Sequence, residues 1–137
     1  MQSVRFPYTD LERTRPGATP MPFLPLTLTY REQEISAMGL MDSGATVNVL
    51  PYSVGESLGF VWEEQRTALT LSGNLARFPS RGVIVSVAVA HFTPVRLAFA
   101  WTQSDVVPLL LGQTNFFQEF EVCFFGSLLA FEIKPNR

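Results

Sequence analysis

The sequence has 137 residues, 47% of them hydrophobic and 16% charged, which fits one compact domain with a hydrophobic core and excludes a disordered tail or a multidomain enzyme. Its net charge of -2 and its scattered basic residues argue against nucleic acid as a partner. The single cysteine, Cys123, and the single histidine, His91, cannot supply an intramolecular disulfide or a Cys/His zinc cluster, so we expect no metal and no cofactor.

The first twenty residues differ in composition from the rest of the chain. They combine several charged residues with prolines, a mixture that resists helix and sheet, so we predict a mobile arm over residues 1–20 and a folded domain over residues 21–137. They also lack the basic start, the apolar stretch and the cleavage site of a secretory signal. No apolar run approaches the roughly 20 residues that cross a bilayer as a helix. We therefore expect a cytoplasmic protein without a membrane partner.

An alternating apolar pattern begins after this segment and predicts a β-hairpin. Its first strand covers residues 23–30, a polar run follows at residues 31–34, and its second strand covers residues 35–41. A two-turn helix is predicted over residues 51–59, because Pro51 suits an early helical position and Gly59 suits the helix end.

The second half of the chain predicts further strands joined by turns. Strands are predicted at residues 67–71, 83–89 and 95–101, and Ser72, Gly73 and Asn74 form a turn after the first of them. One or two helical turns at residues 113–119 precede a closing hairpin at residues 121–125 and 128–133. The pattern as a whole predicts an all-β fold with one or two short helices.

Asp42 is the one aspartate in an apolar setting, directly after the predicted strand that ends at residue 41. A carboxylate there costs several kcal/mol to bury unless it is paired or hydrogen-bonded. Ser43 and Thr46 supply hydroxyls, and Gly44 permits unusual backbone angles, so the loop can turn its N–H groups toward the acid. The pattern indicates a pre-organised carboxylate; the alternative is a turn-forming aspartate at a strand end.

The run Asp42-Ser43-Gly44-Ala45-Thr46 resembles the active-site loop of retropepsin-like aspartic proteases. In that family a flap hairpin follows the loop, and two apolar residues and a glycine then lead into a short helix. Here Leu110, Leu111 and Gly112, followed by Gln113, stand in that place. The resemblance covers residues 23–133 and implies the family's β-barrel fold.

The resemblance further implies an aspartic endopeptidase that works as a homodimer, because the mechanism needs two aspartates and the chain has one suitable candidate. Two Asp42 carboxylates on the twofold axis share one proton, so that one activates a water and the other protonates an extended, mostly apolar peptide. By the same resemblance, Ser43 binds across the axis and locks the two loops together.

Several other positions match the family less specifically. Ser72, Gly73 and Asn74 stand where the flap tip is expected, although a plain hairpin turn is the alternative. Val107, Pro108 and Leu110 match a substrate-binding wall, and buried core is the alternative for each of them.

One departure concerns the dimer interface. Many retroviral members have an aspartate at the position of Thr46 and an arginine at that of Gln113, and these two pair near the interface. Both residues are neutral here, so we expect an uncharged hydrogen bond in place of the ion pair. We expect this departure to affect the strength of the dimer more than the catalytic chemistry.

A second hypothesis comes from a different functional class: a noncatalytic dimerisation or peptide-binding module that keeps the fold and the groove. The intact Asp42-Ser43-Gly44 run argues against it, since a binder gains nothing from the cost of a buried acid. A Cys-His protease is disfavoured because a third, orienting group is missing. We interpret His91 as a surface or core residue and Cys123 as a small apolar core residue.

Overall fold

The computed structural model describes residues 2–10 and 19–136, which form strands with a few short helices. The strands are β1 (Val4–Pro7), β2 (Phe23–Tyr30), β3 (Gln33–Met41), β4 (Asn48–Leu50), β5 (Ala68–Leu69), β6 (Ser80–Ala88), β7 (Val95–Thr102), β8 (Leu110–Leu111), β9 (Phe120–Phe125) and β10 (Ala130–Pro135). The α-helices are α1 (Tyr52–Ser57) and α2 (Phe116–Glu119), and 3-10 helices cover Trp62–Glu64, Gly73–Arg77 and Gly126–Leu128. The predicted all-β class is confirmed.

The predicted hairpin of residues 23–41 is confirmed as β2 and β3. Alternation decides its faces: Leu24, Leu26 and Leu28 are buried in the core, while the residues between them are partly or fully exposed. The two strands pair antiparallel from Phe23 opposite Leu40 to Tyr30 opposite Gln33. The second strand therefore begins two residues earlier than the polar run suggested.

Six strands close into a barrel. The order is β2-β3-β8-β4-β7-β6, and β6 pairs again with β2, so the sheet closes on itself. The β3–β8 and β4–β7 pairs are parallel. The two strands predicted from β-branched and aromatic runs are confirmed as β6 and β7, and they pair antiparallel as a long hairpin. Short β5 extends the sheet beyond β6. Closure leaves the ends of β3, β4 and β8 side by side, and this is where the candidate site lies.

The predicted helix at residues 51–59 is confirmed as α1, which packs directly on the barrel. Pro51 is its N-cap residue, and Gly59 follows its end with a φ of 94° that suits glycine. A methyl group at Gly55 would overlap the indole of Trp101, so the absent side chain lets α1 approach the barrel. Tyr52 stacks on the same indole at 5.3 Å. The helix is stabilised by this packing, since it is too short to be stable alone.

A second sheet has the order β1-β10-β9 and brings the two ends of the described chain together. The predicted closing hairpin is confirmed, with a 3-10 helix at Gly126–Leu128 as its connection. The prediction that residues 1–20 resist sheet is wrong for β1, because Phe6 stacks on Phe131 at 5.5 Å and the strand pairs along β10. Local composition could not reveal this distant partner. Residues 11–18 of the predicted arm lie outside the described residues, and the boundary at residue 21 stays a prediction.

Two single residues of chemical interest lie at the surface. Cys123 is exposed on β9, opposite Glu132 on the outward face of the second sheet, so the prediction of a core cysteine is wrong. Its apolar neighbours Val122 and Phe124 lie on the other face because strand side chains alternate. His91 is exposed beside Phe92, in agreement with a surface role. Among the described residues, no helix has the length and apolar character to cross a membrane.

Candidate active site

The loop that carries Asp42 is held between the end of β3 and the start of β4 by backbone hydrogen bonds. The Asp42 N–H donates to the carbonyl oxygen of Leu111 on β8 at 3.0 Å. Past β8, the Gln113 and Thr114 N–H groups donate to the carbonyl oxygens of Ala45 and Thr46 at 2.9 and 2.8 Å. The two sequence runs that were matched by resemblance are therefore in direct contact, and each fixes the other.

The Asp42 carboxylate is half-buried and oriented from within its own loop. Its Oδ1 accepts a hydrogen bond from the Gly44 N–H at 2.9 Å, which confirms that an N–H group of the loop turns toward the acid. A methyl group on Gly44 would lie 3.2 Å from that oxygen, so glycine permits this close turn. The Ala45 N–H donates to the Asp42 carbonyl oxygen at 3.1 Å and closes the turn. The carboxylate is thus held in one orientation while it still reaches solvent.

Gly112 lies against the back of the loop where no side chain fits. A methyl group there would be 2.7 Å from the carbonyl oxygens of both Ala45 and Val47. The Gly112 N–H donates to the side-chain oxygen of Asn48 at 2.8 Å. Asn48 was not identified from the sequence, although its signal was present as an amide inside the apolar run of β4.

Asp42 opens into a cavity of about 180 Å³ between the loop and the β5–β6 connection, residues 70–79. The lining residues come from both sides of the cavity and are Asp42, Gly44, Ala45, Thr46, Val47, Val49, Leu71, Ser72, Leu75 and Leu110. Leu71 is buried in an apolar cluster with Val49, Val107 and Leu110. The cavity therefore presents one carboxylate among six apolar side chains, with Thr46 and Ser72 adding polar groups to the lining.

The residues predicted for the flap lie in the β5–β6 connection, and their local structure differs from a tight hairpin turn. Ser72 lines the cavity, and Gly73 opens the 3-10 helix Gly73–Arg77 with a φ of 63°. Asn74 lies in the same helix. The strand predicted at residues 67–71 is shorter than expected, since only Ala68–Leu69 pair with β6.

The residues predicted as a substrate-binding wall divide into three cases. Leu110 lines the cavity with Asp42. Val107 is buried in the apolar cluster behind the cavity wall, and Pro108 is exposed. Of these three predicted wall residues, only Leu110 lines the cavity of a single chain.

Gln113 makes an uncharged hydrogen bond to the active-site loop. Its Nε2 donates to the carbonyl oxygen of Ser43 at 2.8 Å. The Gln113 side chain therefore bonds to Ser43 and not to Thr46, the partner expected for it, and the contact of Thr46 with this segment is a backbone bond from Thr114. Over residues 2–10 and 19–136, no three His, Cys, Asp or Glu side chains are grouped closely enough to hold a metal ion.

The closed barrel, with an aspartate loop at the edge where β3 and β8 end and β4 begins, defines a retropepsin-like aspartic protease fold. The sequence model of the aspartyl protease family matches residues 26–114, more than half of the chain, and the chain belongs to this family. No curated protein matches the sequence.

The solved structures that share the fold include two proteases. A retropepsin-like aspartic protease from Rickettsia conorii has a TM-score of 0.62 at 13% identity, with 96% of this chain and 92% of that chain covered. The EIAV protease, solved with the inhibitor HBY-793, has a TM-score of 0.53 at 16% identity, with 72% of this chain and 86% of that chain covered. At these identities the likeness concerns the fold.

Proposed function

We propose that the protein is an aspartic endopeptidase whose active form is a homodimer with two Asp42 carboxylates at its twofold axis. The observation that carries the proposal is Asp42 itself, oriented by Gly44 and facing a cavity with six apolar lining residues in a chain of the aspartyl protease family. The substrate class that fits such a cavity is an extended peptide with apolar side chains.

A second copy of the chain is needed because one cavity offers one carboxylate. Asp105 is engaged elsewhere, with its Oδ1 accepting the Ser53 N–H at 2.8 Å. Ser43, Gly44 and Thr46 are exposed, so the loop is accessible to the same loop of another chain. Isologous contact of identical surfaces is the commonest form of association between identical chains.

The paired carboxylates supply both a general base and a general acid. Two like charges in contact do not both ionise readily, so the pair holds one proton. The ionised Asp42 takes a proton from a water that attacks the peptide carbonyl carbon, while the protonated Asp42 donates to the carbonyl oxygen. Collapse of the tetrahedral intermediate breaks the C–N bond, and the leaving nitrogen takes up a proton. No acyl-enzyme forms.

Entry of a peptide requires movement of the β5–β6 connection. A volume of about 180 Å³ is below the roughly 300–1,000 Å³ of sites that enclose small ligands, and Leu71, Ser72 and Leu75 occupy one side of it. We infer that this connection acts as a flap that lifts and then closes over the substrate. Strand pairing before the connection is confined to Ala68–Leu69, so packing such as that of Leu71 in the apolar cluster, and not a strand ladder, holds the connection in the closed position.

The test is turnover of a peptide library by the wild-type protein and by Asp42→Asn, with products identified by mass spectrometry. The amide keeps the shape of the carboxylate but cannot act as a base, so we expect cleavage to disappear while the circular dichroism spectrum is unchanged. Asp105→Asn is the matched control, because its amide oxygen still accepts the Ser53 N–H and its cleavage should equal that of the wild type.

Undiminished cleavage by Asp42→Asn would place the chemistry elsewhere. A wild-type dimer that binds peptides without cleaving any of them would instead support the noncatalytic peptide-binding module.

A further inference from the structure

Asn48 is fully buried and points away from the cavity. It opens β4, whose next residue, Val49, lines the cavity beside Asp42. Successive side chains of a strand face opposite sides, so the Asn48 amide lies behind the cavity wall. A buried amide is costly unless its donors and acceptor are satisfied, and here they are.

The amide joins three separate segments of the chain. Its Oδ1 accepts the Gly112 N–H at 2.8 Å, and its Nδ2 donates to the carbonyl oxygen of Ala98 on β7 at 3.0 Å. The same Nδ2 donates to Oδ1 of Asn115 at 3.2 Å. One acceptor and two donors are thus used, a combination that neither an apolar side chain nor a carboxylate supplies.

Gly112 transmits the position of this amide to the catalytic loop. The residue before it, Leu111, accepts the Asp42 N–H at 3.0 Å, and the residue after it, Gln113, donates its N–H to Ala45 at 2.9 Å. Gly112 therefore lies between two hydrogen bonds that hold the ends of the Asp42 turn. A displacement of Gly112 moves both bonds.

We propose that Asn48 is a positioning residue for Asp42. Through its hydrogen bond to Gly112, Asn48 fixes where the active-site loop lies relative to the barrel. The inference rests on the proposed function, because it takes Asp42 to be the reacting group. Asn48 lines no part of the cavity, so its contribution concerns the geometry of the carboxylate and not the binding of the peptide.

The first test compares kcat and KM of Asn48→Leu with those of the wild type. Leucine keeps the branched shape, is somewhat larger, and leaves the Gly112 N–H and the Ala98 carbonyl unpaired, so we expect kcat to fall about 100-fold with KM changed less than about threefold. Val85→Ala, which removes buried methyl groups from β6 in the main core, is the matched control for lost stability. A kcat of Asn48→Leu equal to that of the control would overturn the inference.

A second variant serves if Asn48→Leu does not fold. In Asn48→Asp the protonated carboxyl offers one acceptor and one donor, whereas the ionised form has no donor for Ala98 and faces the Asn115 oxygen. We expect the ratio of its kcat to that of the wild type to fall about tenfold as the pH rises through ionisation of the new carboxyl, with folded protein confirmed at each pH. A ratio that stays constant from about pH 4 to pH 7 would contradict the inference.

Hydrogen exchange of the Gly112 amide is a readout that needs no turnover. We expect its protection to decrease at least tenfold in Asn48→Leu relative to Val85→Ala, since its acceptor is removed. Unchanged protection would overturn the positioning role alone. Cleavage that persists in Asp42→Asn would overturn the proposed function instead, so the two failures are distinguishable.

Discussion

Replacing Gly112 with alanine tests the contact between the two halves of the site. The added methyl carbon would lie 2.7 Å from two backbone oxygens, those of Ala45 and Val47, where ordinary contact begins at 3.4 Å. Neither oxygen can rotate away, so the loop or Gly112 must shift by about 0.7 Å, which costs about 1–3 kcal/mol as overpacking. The same shift weakens the buried bond to Asn48, which adds about 1 kcal/mol or more.

The expected loss of about 3 kcal/mol corresponds to a fall in Tm of about 10 °C for a chain of this length. The assay is thermal unfolding followed by circular dichroism, at one protein concentration because the Tm of a dimer depends on concentration. Gly126→Ala is the matched control, since a methyl group there meets nothing within 4 Å, and its Tm should stay within about 2 °C of wild type. Equal Tm values for the two variants would refute the role of Gly112.

Three further predictions concern the dimer, the pH profile and the second sheet. Gln113→Ala removes the bond to Ser43 in both copies, so the dimer Kd measured by sedimentation should rise about tenfold; an unchanged Kd contradicts this. Initial rates should form a bell against pH, because the Asp42 pair acts with one proton; rates still rising at about pH 8 exclude it. Phe6→Ala should lower the free energy of unfolding by about 2 kcal/mol in urea, since Phe6 stacks on Phe131; no change would show that β1 adds little stability.

The parts of the fold with a clear local pattern could be predicted from the sequence. Alternating leucines gave the faces of β2, and the long β-branched and aromatic runs gave β6 and β7. The loop of Asp42 was recognisable because a carboxylate at the end of an apolar strand is costly to bury unless it is hydrogen-bonded, and the nearby glycine allows the loop to turn toward it. The run that ends at Gly112 was recognisable because it follows the Asp42 loop and the flap in the same order as in the family.

The remaining features depend on partners distant in sequence. β1 forms because β10 offers a pairing edge and Phe131 a stacking surface, neither of which is visible in the composition of residues 1–20. Cys123 is exposed because its position on β9 faces outward, although both of its sequence neighbours are apolar. Asn48 becomes meaningful only once Gly112 and Ala98 are seen beside it.

Mixing wild-type and Asp42→Asn chains tests the central claim, that two chains build one site, most directly. The chains are mixed at constant total concentration, left to exchange, and assayed on one peptide, with Asp105→Asn chains in place of Asp42→Asn as the control. If each active site needs an Asp42 from both chains, activity per wild-type chain falls to about one half in an equal mixture and to about one tenth at a ninefold excess of the variant. Activity per wild-type chain that stays constant at every ratio, with exchange confirmed, would contradict the shared site.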